Sequence, residues 1–340
     1  MVVPLVVAVV GPTAAGKSDL SVALCKRLAG EVVNADAMQV YRGMDVGTAK
    51  ITAAERQGIT HHLLDILDVT QTATVAEFQH LARAAIDDCL SRQVVPVLAG
   101  GSALYVRAIL DDFAFPGTDP AVRARLEAEL AEHGCGELHR RLAAKDPAAA
   151  QQILPSNGRR IVRALEVIEI TGTPYVATLP EHTYIYPGAV QLGLDVPRPV
   201  LDERIDRRVD RMFENGFVDE VRDLLGKGLA EGRTANRALG YSQVIALLAG
   251  EISEAEARER TAQATRRFAR RQDSWFRKDP RITWLAYDDP DLVDRALSVV
   301  REAAESQEES GNPSRAQGNR SRATDVVGVE EGARHVDARG

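Results

Sequence analysis

Residues 11–18 read Gly11-Pro12-Thr13-Ala14-Ala15-Gly16-Lys17-Ser18, directly after the uncharged run Leu5–Val10. A GxxxxGK[ST] pattern between a strand and a helix is a phosphate loop. Its backbone N–H groups and the Lys17 ammonium cradle a di- or triphosphate, and the Ser18 hydroxyl reaches a Mg²⁺. The next chemical group is Asp36, just past a second apolar run at 31–34. In an open α/β sheet, ligands bind at the carboxyl ends of the strands, which directs Asp36 to the crevice of Lys17. There a carboxylate holds Mg²⁺ through water or accepts a proton from a nucleophile; elsewhere it would be a helix N-cap or a turn residue. The run 94–99 ends in Gly100-Gly101-Ser102, where many P-loop ATPases carry an acid for Mg²⁺. That gap argues against ATP hydrolysis and leaves a small-molecule kinase open.

These groups need a parallel sheet beneath them, and the first hundred residues alternate strand and helix accordingly. The pattern predicts strands at 5–10, 31–34, 94–99, 190–196 and 282–285. Helices are predicted at 18–28, at 75–92, through Leu104 to Ile109, and at about 199–230 and 253–278. Residues 121–172 carry no strand signal; they are Ala-, Leu- and Arg-rich, with Pro147 and Pro155 marking helix starts. The expected fold is therefore α/β: a P-loop NTPase-like parallel sheet core with a small all-helical insertion and a disordered C-terminal tail. The expected divisions are 1–117 and 187–300 for the core, 118–186 for the insertion and 301–340 for the tail, which turns polar and aperiodic from about Ser306.

A chain of 340 residues at 45% hydrophobic composition has enough apolar material for two globular units. No apolar stretch is long enough to span a bilayer, and residues 1–10 read as a first strand, since no basic region precedes the run. Cys25, Cys89 and Cys135 share no metal-ligand spacing and suit a reducing cytosol. The net charge of −7 excludes a protein that coats nucleic acid indiscriminately. Residues 258–278 nonetheless hold eight basic side chains against two acidic ones, which suits a partner bound at one defined face.

The phosphate loop, DAMQVYRGMDVGTAK (36–50), HHLLD (61–65), GGSALY (100–105), RRIVRALEV (159–167), RALGY (237–241) and TRRFARRQDSWFRK (265–278) together resemble the bacterial tRNA dimethylallyltransferase family, in its order and spacing over about residues 5–285. GGS replaces the commoner GGT and keeps the hydroxyl; the zinc-finger extension of eukaryotic relatives is absent.

The resemblance implies a cytoplasmic, monomeric, Mg²⁺-dependent enzyme acting on two partners: dimethylallyl diphosphate and the anticodon stem-loop of tRNA. The loop would hold the diphosphate leaving group, and the acceptor would be the exocyclic amine of the adenosine just 3′ of the anticodon. Arg208, within ERIDRRVDRM (203–212), matches the family's diphosphate-contacting arginine; Asp36 would take the amine proton and Ser102 would position groups beside it. The family's tRNA-contacting positions align with Asp36, Ala37, Met38 and Gln39, with Ala103 and Arg123, with Arg159, Arg160, Ile161, Val162 and Arg163, and with Arg237, Ala238, Leu239, Gly240, Tyr241 and Ser242. Ile161 also belongs to a core stripe with Leu165 and Ile168, which leaves the arginines for phosphates. Phe268, Trp275 and Phe276 read as core anchors, with Arg266, Arg267, Arg270 and Arg271 beside the tRNA path. An AMP- or ADP-prenylating enzyme would share the loop and Asp36 but would not need the helical insertion or the basic stretch. A nucleotide switch would bind GTP or ATP and modify nothing.

Overall fold

The structure is a computed structural model that describes residues 5–113, 115–175 and 182–310. Its elements run β1 (Leu5–Val10), α1 (Lys17–Leu28), β2 (Gly30–Asn34), β3 (His61–His62), α2 (Val75–Ser91), β4 (Val95–Gly100), α3 (Ala103–Leu110), α4 (Pro120–Lys145), α5 (Pro147–Gln152) and α6 (Gly158–Thr171). They continue with β5 (Gly188–Asp195), α7 (Arg198–Glu214), α8 (Phe217–Leu225), α9 (Tyr241–Leu248), α10 (Glu254–Phe276), β6 (Ile282–Ala286) and α11 (Leu292–Ser310).

The six strands form one parallel sheet in the order β3-β2-β4-β1-β5-β6. β1 is central, and Val6 to Val10 are fully buried, which is why the run carries no alternation: both faces of a parallel sheet are covered. Leu20 and Leu24 of α1 pack on it, with Ala296, Leu297 and Val300 of α11 in the same core.

The chain folds into two compact units. Among the described residues, the first comprises the sheet and 5–73, 81–106 and 186–310; the second comprises those within 74–80 and 107–185, where the expected insertion is 118–186. The second unit has its own core of Leu126, Leu138, Leu142, Ile153, Ile161 and Leu165. Its helices start where side-chain oxygens accept the first backbone N–H groups: Asp119 for α4, Asp146 for α5 and Asn157 for α6. Gly134 leaves helical geometry and kinks α4.

Two sequence expectations change. The helix expected at 199–230 is two, α7 and α8, because Asn215-Gly216 breaks it: Gly216 sits at φ 92 and starts α8. The tail expected from 301 or 306 instead begins as helix, since α11 runs to Ser310. Ala, Glu and Gln extend a helix without an apolar stripe to announce it. Residues 311–340, the rest of the expected disordered tail, lie outside the described residues.

Candidate active site

The carboxyl ends of β1, β2 and β4 open onto one cavity of about 470 Å³ within the first unit. Gly11 at φ 134 and Gly16 at φ 104 let the phosphate loop turn back over the end of β1. Lys17 begins α1, and its Nζ donates to the Pro12 carbonyl at 2.7 Å, which folds the ammonium over the loop. Arg208 reaches in from α7 and donates to Thr13 Oγ1 at 3.1 Å. Burial, with Arg208 nearby and only partly offset by Asp36, pushes Lys17 down to about 8. Burial and the neighbouring Arg211 likewise lower Arg208. Two cations held in a poorly hydrated cleft suit a polyvalent anion.

Asp36 stands across the cavity. Its position follows from the sheet: Ala35 N donates to Ala99 O at 2.9 Å, so β2 stays paired with β4 until the residue before Asp36. A side chain at Gly100 would collide with the Ala35 backbone, so only glycine permits that approach. The buried Asn34 then fixes the turn: its Oδ1 accepts from Asp36 N at 3.0 Å, and its Nδ2 donates to the carbonyls of Asp36 and Leu63 at 3.2 and 3.1 Å. Asp36 Oδ1 accepts from Met38 N at 2.8 Å, and the carboxylate lines the cavity with Thr13, Lys17, Ser18 and Arg208.

The cavity's far wall is the 45–52 loop. The Glu220 carboxylate accepts from the backbone N–H groups of Asp45, Val46 and Gly47 at 2.9, 2.6 and 3.1 Å, and from Tyr241 Oη–H at 2.6 Å. Buried Lys50 donates to the Tyr41 carbonyl, Asp45 and Asp65 at 2.7, 2.6 and 2.6 Å, tying the 36–50 and 61–65 motifs together.

The expected site residues separate accordingly. Gly11 to Ser18, Asp36, Gln39 and Arg208 meet around or beside the cavity. Gln39 directs its amide to the Thr48 and Ala49 carbonyls at 3.2 and 3.4 Å, bracing the loop. Ala37 and Met38 follow Asp36 half-exposed. Gly100 and Gly101 form part of the wall, whereas Ser102 and Ala103 do not contribute to it.

In the second unit, Arg159 and Arg160 are exposed, but Ile161 and Val162 are buried in its core, which takes their side chains out of any RNA-facing surface. Arg123 and Arg163 both pair with the fully buried Glu166, and Arg163 also donates to the Gly117 and Pro116 carbonyls. Burial pushes the Glu166 carboxyl up, and the hydrogen bonds and charges of Arg123 and Arg163 outweigh it and hold the group below the ordinary carboxylate value.

Arg237 and Ser242 are exposed, Leu239 is half-buried, and Ala238, Gly240 and Tyr241 are buried. Tyr241 packs edge-on against Phe217 at 5.1 Å. Within 258–278, Phe276 is a core anchor as expected, but Trp275 is 46% exposed and is not. Arg266 is paired with Asp206 and Glu259, while Arg267, Arg270 and Arg271 are exposed.

Gln272, Asn34 and Glu220 were not anticipated. Gln272 and Glu220 hold backbone groups of distant loops, and Asn34 joins its own turn at Asp36 to the distant Leu63 carbonyl; nothing in a single sequence marks the distant partners.

The IPP transferase family model matches residues 39–279. The chain belongs to the IPP transferase family. Family relatives include the tRNA dimethylallyltransferase of Thermobifida fusca (strain YX), 66% identical over 302 residues, covering 87% of this chain and 94% of the relative. That of Streptomyces avermitilis is 67% identical over 300 residues, covering 87% and 96%. Among solved structures of the family, the full-length tRNA isopentenylpyrophosphate transferase of Bacillus halodurans superposes with a TM-score of 0.66 at 39% identity, covering 90% of this chain and 99% of that one. A eukaryotic dimethylallyltransferase acting on tRNA gives a TM-score of 0.75 at 25% identity, covering 91% and 80%.

Proposed function

We propose that this chain transfers the dimethylallyl group of dimethylallyl diphosphate to the exocyclic N6 amine of the adenosine 3′-adjacent to the anticodon of tRNA, releasing diphosphate. The observation that carries this reading is the pairing, across one cavity, of a cationic cradle (Lys17 and Arg208 around the phosphate loop) with a carboxylate, Asp36. β4 ends there in glycines, with no acid to serve nucleotide hydrolysis. Kinship with enzymes named tRNA dimethylallyltransferase supports the substrate pair.

Cleavage of the allylic carbon–oxygen bond puts negative charge on the departing diphosphate and carbocation character on the dimethylallyl group. Lys17, Arg208 and the loop N–H groups neutralise the first, already oriented before the bond breaks. Asp36 accepts a hydrogen bond from the amine and takes its proton late, once carbon–nitrogen bonding has made it acidic. Fixing amine and diphosphate in one cavity turns a bimolecular encounter into an aligned displacement. The adenine must leave its stack to enter, which costs little in a single-stranded loop.

The oxygen donors at the start of α1 and opposite it, Ser18, Asp19 and Asp36, all line the cavity and suit a hard cation such as Mg²⁺. When bound, Mg²⁺ would supply further charge neutralisation to the leaving diphosphate. Exposed Arg159, Arg160, Arg237 and Ser242 are read as RNA contacts, and the enzyme as a cytoplasmic monomer. Its three cysteines are unpaired, which suits a reducing compartment, and among the described residues no helix is long and apolar enough to cross a membrane.

The test is diphosphate release with substrates varied. Release that requires dimethylallyl diphosphate and tRNA together supports the reading; phosphate release from ATP alone, with no dependence on tRNA, overturns it.

A further inference from the structure

On the outer edge of the sheet, β3 is only two residues long and pairs with β2 alone. His62 of β3, Glu31 of β2 and Cys89 near the end of α2 bring one nitrogen, one oxygen and one sulfur atom within 4.8 Å of one another. Among the described residues no other trio of metal-ligating side chains does so. Cys89 Sγ lies 3.6 Å from Glu31 Oε2 and 3.7 Å from His62 Nε2, and those two atoms are 2.6 Å apart.

A tetrahedral Zn²⁺ with Zn–S of about 2.3 Å and Zn–N or Zn–O of about 2.0–2.1 Å sets its sulfur-containing edges at about 3.5 Å and its N···O edge at about 3.3 Å. Two of the three edges are thus already at coordination length, and the third has to open by about 0.7 Å. The Glu31 and His62 side chains are 18% and 24% exposed, so an ion can enter from solvent and keep water as its fourth ligand.

We propose that Glu31, His62 and Cys89 form a binding site for a borderline-soft divalent ion of the Zn²⁺ type, separate from the catalytic cavity. Zn²⁺ fits this donor set because carboxylate, imidazole and thiolate together exclude Mg²⁺ and Ca²⁺, which take oxygen. Binding displaces the Cys89 thiol proton to solvent, and a neutral His62 moves its ring proton from Nε2 to Nδ1, so that both donors present lone pairs. Arg92 holds the outer position. It donates to both Glu31 oxygens, Oε1 at 3.0 Å and Oε2 at 2.8 Å, and to Cys89 Sγ at 3.6 Å, so the ion has to take the remaining lone pair of Oε2. The ion would pin the short edge strand to β2 and α2. That matters to catalysis because His61, the neighbour of His62, lines the catalytic cavity.

The experiment is titration of the chelator-stripped, full-length chain with CoCl₂, followed by displacement with ZnCl₂. The proposal expects one ion per chain with a sulfur-to-cobalt charge-transfer band and the intense visible bands of tetrahedral cobalt. Cys89→Ser abolishes the charge-transfer band, and His62→Gln weakens binding at least about 100-fold, beyond the loss seen when only an outer partner is removed. The second variant sits at a partly exposed position and covers the case in which the buried Cys89 replacement fails to fold. Wild-type protein that binds no Co²⁺ at equimolar concentration, or a charge-transfer band that survives in Cys89→Ser, overturns the site.

Discussion

Gln272 clamps Thr13. From the middle of the basic stretch on α10, its Oε1 accepts from the Thr13 backbone N–H at 2.9 Å, while its Nε2 donates to the Gly101 carbonyl at 2.7 Å. One buried amide therefore sets the spacing between the phosphate loop and the end of β4. A side chain at Gly101 would displace that amide from its two partners.

Replacing Gln272 by Leu strands the half-buried Thr13 N–H and the buried Gly101 carbonyl, at a cost of about 1–3 kcal/mol for the carbonyl and less for the N–H. Denaturant unfolding should show the loss of stability. Steady-state kinetics should show KM for dimethylallyl diphosphate raised about 10-fold or more, since the displaced loop is the one proposed to hold the diphosphate.

Glu220→Ala releases three backbone N–H groups of the 45–47 turn and the Tyr241 hydroxyl at once. Bonds to a charged acceptor contribute about 1.5–3 kcal/mol each, so destabilisation by about 3 kcal/mol or more is expected, against about 1 kcal/mol for Tyr241→Phe. Equal losses in the two variants would show that the carboxylate does not organise the loop.

Lys17 gives the site a pH signature. Its folded value of about 8 lies below the ordinary 10.5, so the apo fold carries a penalty that is fully present below about 8 and is relieved as pH rises towards 10.5. An arriving diphosphate reverses the preference and draws a proton onto Lys17. Calorimetry near pH 8 in buffers of different ionisation enthalpy should report proton uptake on binding, and affinity should fall as pH rises further. Lys17→Met should bind weakly and without that uptake.

Asp279 is one of the carboxyls that contribute to acid stability. Burial pushes its carboxyl up, but hydrogen bonds from the Arg281 side chain and backbone and from Gln191 outweigh it and hold the group at about 2. A depressed carboxyl contributes stability above its ordinary value of 3.8 that is lost as pH falls through 2. The shift corresponds to about 2 kcal/mol, and Asp279→Asn should flatten this part of the stability profile. An unchanged profile would assign acid unfolding to other carboxylates.

Much of this was legible in the sequence because backbone chemistry announces itself. The phosphate loop needs glycines at fixed offsets, and the buried strands need unbroken apolar runs, so the sheet and the shared crevice of Asp36 and Lys17 could be read in advance. Side chains that serve a distant backbone could not. Asn34, Glu220 and Gln272 are ordinary polar residues until the loops they hold come near. The partners of the arginines were hidden in the same way: Arg123 and Arg163 look like phosphate ligands in one dimension, and only the fold reveals the buried Glu166 between them. The α11 extension to Ser310 was hidden because helix propensity without an apolar face resembles a polar tail.

Asp36 is the proposed proton acceptor, so Asp36→Asn should leave tRNA binding nearly intact and reduce single-turnover transfer by about 100- to 10,000-fold. Unchanged single-turnover transfer would remove Asp36 from the chemistry.

The most direct measurement is transfer of radiolabelled dimethylallyl diphosphate into tRNA lacking the modification, with AMP as the parallel acceptor. The account predicts label in tRNA, mapped to the adenosine beside the anticodon, and none in AMP. Label in AMP alone, or in neither acceptor with a folded and diphosphate-binding preparation, would contradict it.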